Sequence, residues 1–426
     1  MQGFARRSFF AASLGTMVEY YDYALLGIFL PLISPLFFPA ATTYDSLVKG
    51  FYAILIATIA RPLGGIFFGY LGDSFGRRRA LMCSMYGIAI ATILMGITPS
   101  FDMIGIWAAI MITFTKAVQV FCFGGEYNGA GIYVVEHAKN QNEGLIGSCL
   151  TAMMLVGSLF ATLIGVIVTL DAMPDWSWRV AFVLGGVLGI LGIIYRKNLA
   201  ESPHFKEAHP ERDNLKALLK HYPYQLLAGV FIGGFATVPF TTVLTFMNPV
   251  LMTKDFISSQ TLMLLQAFLI MVAILALVIA GKMADRKTPY RVMMFGALML
   301  VLLSFPLLWL VDQGIFSFII LAQVILIVIN EILLGPSNAC LKNLFPMQFR
   351  YRGASISFTL GLSLLGGLTP VIENYLYRKT GCFSSIALWL MFVGMGTVLS
   401  MKWAKDKRMK SEEPILNFEK RLSVTR

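Results

Sequence analysis

The stretch Arg61–Leu81, RPLGGIFFGYLGDSFGRRRAL, runs from an apolar segment into a turn that ends in three consecutive arginines. Gly69, Asp73 and Arg79 within it recur as Gly281, Asp285 and Arg291 in GKMADRKTPYRV, at the same relative spacing and 212 residues further on. That displacement is half of the 426-residue chain, so the sequence reads as a duplicated unit, the organisation of a transporter built from parallel repeats.

The composition around these loops agrees. Hydrophobic residues make up 57% of the chain and charged residues 13%, too little polar surface for a soluble protein of this length. Apolar runs of the roughly 17–25 residues that cross a bilayer occur twelve times, at about 12–37, 50–72, 80–98, 103–127, 146–170, 179–195, 223–251, 261–281, 292–310, 315–339, 354–376 and 383–403. Each is predicted to be a helix, because hydrocarbon offers no water to an open backbone amide. The first run follows Arg6 and Arg7 but is too long for a signal peptide, carries two acids and lacks a small-residue cleavage site. The expectation is an all-α polytopic membrane protein with an N-terminal bundle over 1–195, a linker over 196–222, a second bundle over 223–403 and a basic tail over 404–426.

With the N-terminus in the cytoplasm, the loops on that side hold 27 of the 34 Lys and Arg residues and those on the opposite side hold five. The positive-inside rule therefore places both termini in the cytoplasm, across a plasma (bacterial inner) membrane. The net charge of +11 follows from this asymmetry and is no sign of nucleic-acid binding; the tail segment KWAKDKRMK instead suits anionic headgroups. Five scattered cysteines, Cys83, Cys122, Cys149, Cys340 and Cys382, have no metal or redox spacing and read as packing residues.

At RPLGGIFFGYLGDSFGRRRAL the chain resembles the loop 2/3 signature of the major facilitator superfamily. Together with VEYYDY (18–23), GGEYNGAGIYVVEHA (124–138) and FPMQFRYRGASISF (345–358), it resembles the metabolite:H+ symporter family over nearly its whole length. The resemblance implies two pseudo-symmetric six-helix bundles with one substrate site between them. It also implies proton-driven uptake by alternating access, and substrates such as proline and glycine betaine or mono-, di- and tricarboxylates. No cofactor is expected beyond the proton gradient, and a monomer is the expected working unit.

Charges inside the apolar runs identify candidate functional residues. An ionised side chain at membrane depth costs about 2.5–3.5 kcal/mol even on the lenient insertion scale. Glu19 and Asp22, three residues apart, share one helix face; Asp22 corresponds to the aspartate of the family's Glu-Trp-Phe-Asp-Phe pattern. Arg61 lies about 16 Å from the following loop at 1.5 Å per residue, and Lys116 is similarly deep, with Glu126 further along the same segment. Desolvation favours the neutral acid and a nearby cation favours the ionised one, so protonation can be traded against ion pairing. Asp22 is the first candidate for proton coupling, with Glu126 second and Glu19 beside them. Arg61 and Lys116 either tune that acid or hold an anionic part of the substrate; for Lys116, snorkelling or a fixed pair with an acid of the first helix is the competing reading.

Further candidates for the substrate site are Tyr23, whose ring could stack on a quaternary ammonium, and Gln119, one turn from Lys116. Thr242, Phe246 and Asn248 lie between the prolines of the seventh run, and Asn330 and Glu331 in the tenth. An aromatic in a membrane helix also serves as packing or as an interface anchor, and Glu331 could equally face only water. Where the family more often has arginine the chain has Lys116, and where a glycine follows the glutamine it has Val120. A lysine point charge holds a carboxylate differently from arginine's planar fork, and the missing glycine puts close helix packing there in doubt.

The loop motifs imply a gate that exchanges ion-pair partners as the halves rock: Gly69, Asp73, Gly76 and Arg77 in the first half and Asp285 and Arg291 in the second, with Glu136 and Arg350 in the motifs after the fourth and tenth helices. Two departures stand out. Glu143 replaces a usual arginine and Asn343 a usual acid, and the expectation is a weakened ion-pair lock on the cytoplasmic side.

Rival classes are an exporter of the same superfamily, an importer of a larger ligand such as a siderophore, an intramembrane enzyme and a non-transporting sensor. The fifth run, SCLTAMMLVGSLFATLIGVIV, lacks the Gly-Pro-x-x-Gly-Gly signature of exporters. All four histidines lie in or beside predicted loops, with no catalytic or metal cluster for an enzyme.

Overall fold

In a computed structural model of the protein, the backbone is described for residues 2–75, 77–124, 142–196, 215–254, 256–346 and 350–424, and side chains for a narrower set within these. Among the described residues there is no strand. Twelve long helices carry the chain back and forth: α1 (Gln2–Phe37), α2 (Thr43–Phe75), α3 (Arg77–Ile97), α4 (Ile106–Phe123), α5 (Glu143–Val168), α6 (Trp178–Arg196), α7 (Pro223–Thr253), α8 (Ser259–Arg286), α9 (Pro289–Asp312), α10 (Phe316–Leu344), α11 (Gly353–Thr380) and α12 (Ala387–Val424). Ten contain a stretch long and apolar enough to cross a membrane, and Met82–Ile97 and Trp178–Leu191 in α3 and α6 are shorter apolar helices. The run expected over 103–127 is broken near its start: a single turn, Phe101–Ile104, ends at Gly105, whose positive φ of 59° interrupts the helix before α4.

The same close approach recurs in both halves. In the first, α5 crosses α1 where Gly157 sits against the backbone of Met17, and a Cβ there would collide with it. In the second, α11 crosses α7 where Gly233 meets the backbone of Phe358 and Gly361 that of Val230. Small residues let helix backbones touch where apolar burial supplies no drive between helices in lipid. Between α2 and α4 the contact runs through Gly64 against Phe121 and Gly124 against Arg61. The glycine missing at Val120 is therefore not needed, and Val120 is simply buried.

Helix α7 is irregular for a local reason. Pro239 and Pro249 each remove an amide from the i→i−4 ladder, and between them Thr242–Met247 form a wide π turn. A second wide turn, Leu362–Gly366, interrupts α11. Wide turns of this kind are frequent at functional sites.

The halves meet at both ends of the bundle. At the end where α1 begins, the basic end, α5 packs on α8 through Gly144, Ser148 and Gly281. At the far end Tyr44 of α2 donates to Asn374 Oδ1 of α11 at 2.7 Å, Asp45 pairs with Arg378, and Phe51 packs on Phe246. The cysteine expectation is corrected in part: Cys122 and Cys340 are buried packing residues, while Cys83 and Cys382 are exposed and all five are free thiols.

Candidate functional site

Between the halves lies a cavity of about 210 Å³. Arg61, Lys116, Tyr20 and Tyr23 line it from the first half; Gln266, Asn330, Glu331, Phe240, Thr241 and Thr245 line it from the second. The wall is otherwise mostly apolar, including Ile54, Leu155, Leu244, Phe358 and Leu362.

The two cations are held differently. Lys116, 4% exposed, donates from Nζ to the Tyr23 carbonyl at 2.8 Å and to Gln119 Oε1 at 2.7 Å, and lies 4.6 Å from the centre of the Tyr23 ring. Gln119 in turn donates to Thr92 Oγ1 at 2.7 Å and to the Asp22 carbonyl at 3.2 Å. Arg61, 2% exposed, lies over Tyr23 and Phe123 with its Cζ 5.4 and 5.0 Å from their ring centres. Tyr23 and Phe123 are themselves stacked at 4.7 Å, with Tyr20 edge-on to Phe123 at 4.9 Å. Among the described residues the Arg61 guanidinium has no hydrogen-bond acceptor. Ring faces attract it but satisfy none of its five N–H donors.

Several residues singled out from sequence lie elsewhere than expected. Asp22 is 1% exposed and does not line the cavity. Its carboxyl is turned towards α6, where a Cβ at Gly185 would strike Oδ1 and one at Gly189 would lie 3.4 Å from Oδ2, and Oδ1 has no partner. No ion pair joins it to Lys116 within 4.0 Å, so the fixed acid pair is replaced by the carbonyl and amide that hold the ammonium. Glu19 is buried on α1, also off the cavity wall.

Gln119, Thr242, Phe246 and Asn248 do not reach the cavity. Gln119 positions Lys116; Thr242 meets Glu373; Phe246 packs between Phe51 and Tyr377; and Asn248 accepts from Gln323 at 2.6 Å. The wide turn at Thr242–Met247 adds a residue to the helical turn and shifts which side chains face inward. Phe240, Thr241, Leu244 and Thr245 take the places on the wall. Asn330 and Glu331 lie on the cavity wall: Asn330 Nδ2 donates to Glu331 Oε1 at 3.0 Å, while Glu331 Oε2 and Asn330 Oδ1 have no partner.

At the basic end, Asp285 accepts the amides of Gly144 and Leu145 at 2.7 and 2.9 Å, capping the first turn of α5. Arg291 lies exposed in the first turn of α9. At Glu143, one of the two positions where a weakened lock is expected, Lys342 of α10 pairs with Oε1 at 2.7 Å. Gly76, Glu126 and Glu136 lie outside the described residues, as do the side chains of Asp73, Arg77 and Arg350 and the surroundings of Gly69.

Comparison with known proteins agrees with this architecture. Residues 8–221 match the family described as Sugar (and other) transporter, and residues 230–426 match the Major Facilitator Superfamily. The glycine betaine/proline/ectoine/pipecolic acid transporter OusA of Dickeya dadantii is 30% identical over 97% of this chain and 86% of its own length. The chain belongs to the major facilitator superfamily. The proline/betaine transporter of Escherichia coli K12 matches to the same extent, also at 30% identity. Among solved structures, a double-tryptophan mutant of XylE aligns with a TM-score of 0.77 at 14% identity, covering 94% of this chain and 95% of that one. A D-xylose–proton symporter aligns at 0.71 and 17%, covering 93% and 96%. The chain is thus an integral membrane transporter, not an enzyme, and its twelve helices follow the superfamily's fold.

Proposed function

We propose that this transporter imports a small zwitterionic osmolyte of the proline or glycine betaine class, driven by protons. One observation carries the reading: on a single cavity, the Arg61 guanidinium has no acceptor among the described residues and Glu331 Oε2 has no donor, and they come from opposite halves. A buried charge without a partner is strongly unfavourable. A carboxylate at Arg61, with Lys116 beside it, and a positively charged nitrogen facing Glu331 and nearby rings would satisfy both. The solutes in the name of the Dickeya relative all pair a carboxylate with a positive nitrogen. The volume of about 210 Å³ is below the roughly 300–1,000 Å³ of drug-sized pockets, which favours an amino-acid-sized solute over a siderophore.

In this reading Asp22 takes the coupling proton, with Glu126 and Glu19 as further candidates, and Gln119 positions Lys116. The units 1–195 and 223–403 rock about the cavity across the linker, while Asp285, Glu143–Lys342 and the loop motif around Asp73 bias the closed basic end. The charge asymmetry supports a basic end facing the cytoplasm of a bacterial inner membrane, with both termini there. The transporter works as a monomer in the bilayer, without a cofactor.

The test is uptake of labelled glycine betaine, proline, citrate, 2-oxoglutarate and shikimate into proteoliposomes under an inward proton gradient. Uptake of the first two, abolished by an uncoupler and by Asp22→Asn, is expected. Uptake of the carboxylates alone would sink the zwitterion assignment, and uptake indifferent to the gradient would make the protein a facilitator.

A further inference from the structure

Neither the cavity nor the coupling carboxyl above involves Glu373. This residue of α11 is fully buried, its Oε1 lies 2.5 Å from the Thr242 hydroxyl, and its Oε2 has no partner. The same hydroxyl lies 2.8 Å from the Val238 carbonyl. Threonine has one hydrogen to donate, so the hydroxyl can serve the Val238 carbonyl or the Glu373 carboxyl but not both at once. Two oxygens at 2.5 Å need a hydrogen between them. With the hydroxyl hydrogen given to Val238, that hydrogen comes from the carboxyl.

The surroundings point the same way. The packed elements at this end present Tyr44, Asp45 and Lys49 of α2, Lys254 at the end of α7, and Tyr377 and Arg378 of α11. Tyr44 is bonded to Asn374, Asp45 to Arg378, Lys49 to the Pro39 carbonyl at 2.7 Å and Lys254 to the Tyr377 hydroxyl at 2.5 Å. None of them reaches Glu373. Its neighbour Asn374 and, one turn on, Tyr377 and Arg378 make these far-end contacts, and Thr242 opens the wide turn of α7.

We infer that Glu373 is a second proton-binding site, loaded as the far end closes: the neutral acid donates to Thr242, and the proton leaves only when α2 and α11 separate and water reaches the carboxyl. An ionised Glu373 would need a cation, and Lys49, Lys254 and Arg378 are each engaged elsewhere. The coupling role rests on the proton-driven reading above; the protonation itself does not.

The experiment uses the full chain in proteoliposomes, its five native cysteines replaced, with spin labels at Thr43 and Lys379, both exposed. As pH rises, the wild type is expected to shift from the short to the long far-end distance, with the open-to-closed ratio changing roughly 100-fold, the scale set by a bare carboxylate in a membrane interior. Glu373→Gln is expected to stay closed throughout. In infrared spectra it should lose a protonated-carboxyl band that Asp22→Asn retains. A Glu373→Gln protein that opens with pH as the wild type does, or that loses no carboxyl band, overturns the inference. If Glu373→Gln does not fold, Thr242→Val serves instead: without the acceptor for its proton, the acid should release it at lower pH, and an unmoved opening midpoint overturns the inference equally. Failure of the proton-driven reading would look different, with gradient-independent uptake of glycine betaine while the Glu373 band persists.

Discussion

Lys116 and Glu331 face the same cavity from opposite halves, and their surroundings treat the two charges in opposite ways. The ammonium of Lys116 is held by a backbone carbonyl, the Gln119 amide and the Tyr23 ring, and Gln119 is itself held by Thr92 and the Asp22 carbonyl. Glu331 has one amide donor and one oxygen with no partner, and Glu373 one hydroxyl and one such oxygen. Lys116 is therefore a cation built into the packing, whereas Glu331 and Glu373, like Arg61 beside Lys116, are left to be completed by something that arrives, a substrate group or a proton. Removing a charge should hurt the two kinds of site in different ways.

Lys116→Met is expected to have the largest effect, because it leaves the Gln119 carbonyl and the Tyr23 carbonyl short of a donor inside the bundle. A hydrogen bond to a charged group contributes about 1.5–3 kcal/mol, so thermal unfolding in detergent should show a destabilisation of about 2 kcal/mol together with lost uptake. Glu331→Gln keeps a carbonyl for the Asn330 amide and should leave the unfolding temperature close to the wild type. It should instead weaken glycine betaine binding by roughly 10- to 100-fold, the loss of one charge-assisted contact. Equal destabilisation by both substitutions would break the contrast between a prebuilt and an incomplete charge site.

Much of this was legible in the sequence, for a physical reason. Twelve apolar runs had to become helices, and Asp22, Arg61, Lys116 and Glu331 were conspicuous because each is unfavourable in hydrocarbon. Depth does not give direction, however. Asp22 turns towards Gly185 and Gly189 rather than the cavity, and no periodicity encodes that choice. In the seventh helix the prolines beside Thr242, Phe246 and Asn248 mark a loosened backbone but not which side chains it turns inward, and the wide turn between Pro239 and Pro249 brings Phe240, Thr241 and Thr245 to the wall instead. Glu373 sits near the end of an apolar run with Arg378 and Lys379 just beyond, and sequence alone does not separate such an acid from a charged helix end. Gln266 and Gln323, uncharged polar residues in the eighth and tenth runs, carried the same faint signal.

The basic end and the far end offer a second comparison. Both join the halves, but Asp285 uses backbone amides at a helix start, while Asp45 and Arg378 use side chains at the surface. A carboxylate on the first-turn amides of a helix is worth about 1 kcal/mol, from capping and from the helix dipole. Asp285→Asn should therefore shift the population towards an open basic end by roughly five-fold, read as a spin-label distance between the starts of α5 and α9. An unchanged distribution would mean that the glycine contacts between α5 and α8 hold this end by themselves.

The smallest effect belongs to the pair that replaces the family's usual arrangement. Glu143 and Lys342 are each 17% exposed and 2.7 Å apart, and partly exposed ion pairs contribute about 0.2–1 kcal/mol. Lys342→Ala should open the basic end by no more than roughly five-fold, less at high salt because the pair is screened. The swapped double substitution, Glu143→Lys with Lys342→Glu, should restore the wild-type distribution if the pair acts through its charge alone. The swap also tests the helix start: Glu143 is the first residue of α5, where a negative charge favours the helix dipole and a positive one opposes it. Incomplete restoration by the swap, with further opening when residue 143 is made neutral beside Lys342→Ala, would assign part of the effect of Glu143 to the helix end and not to the lock.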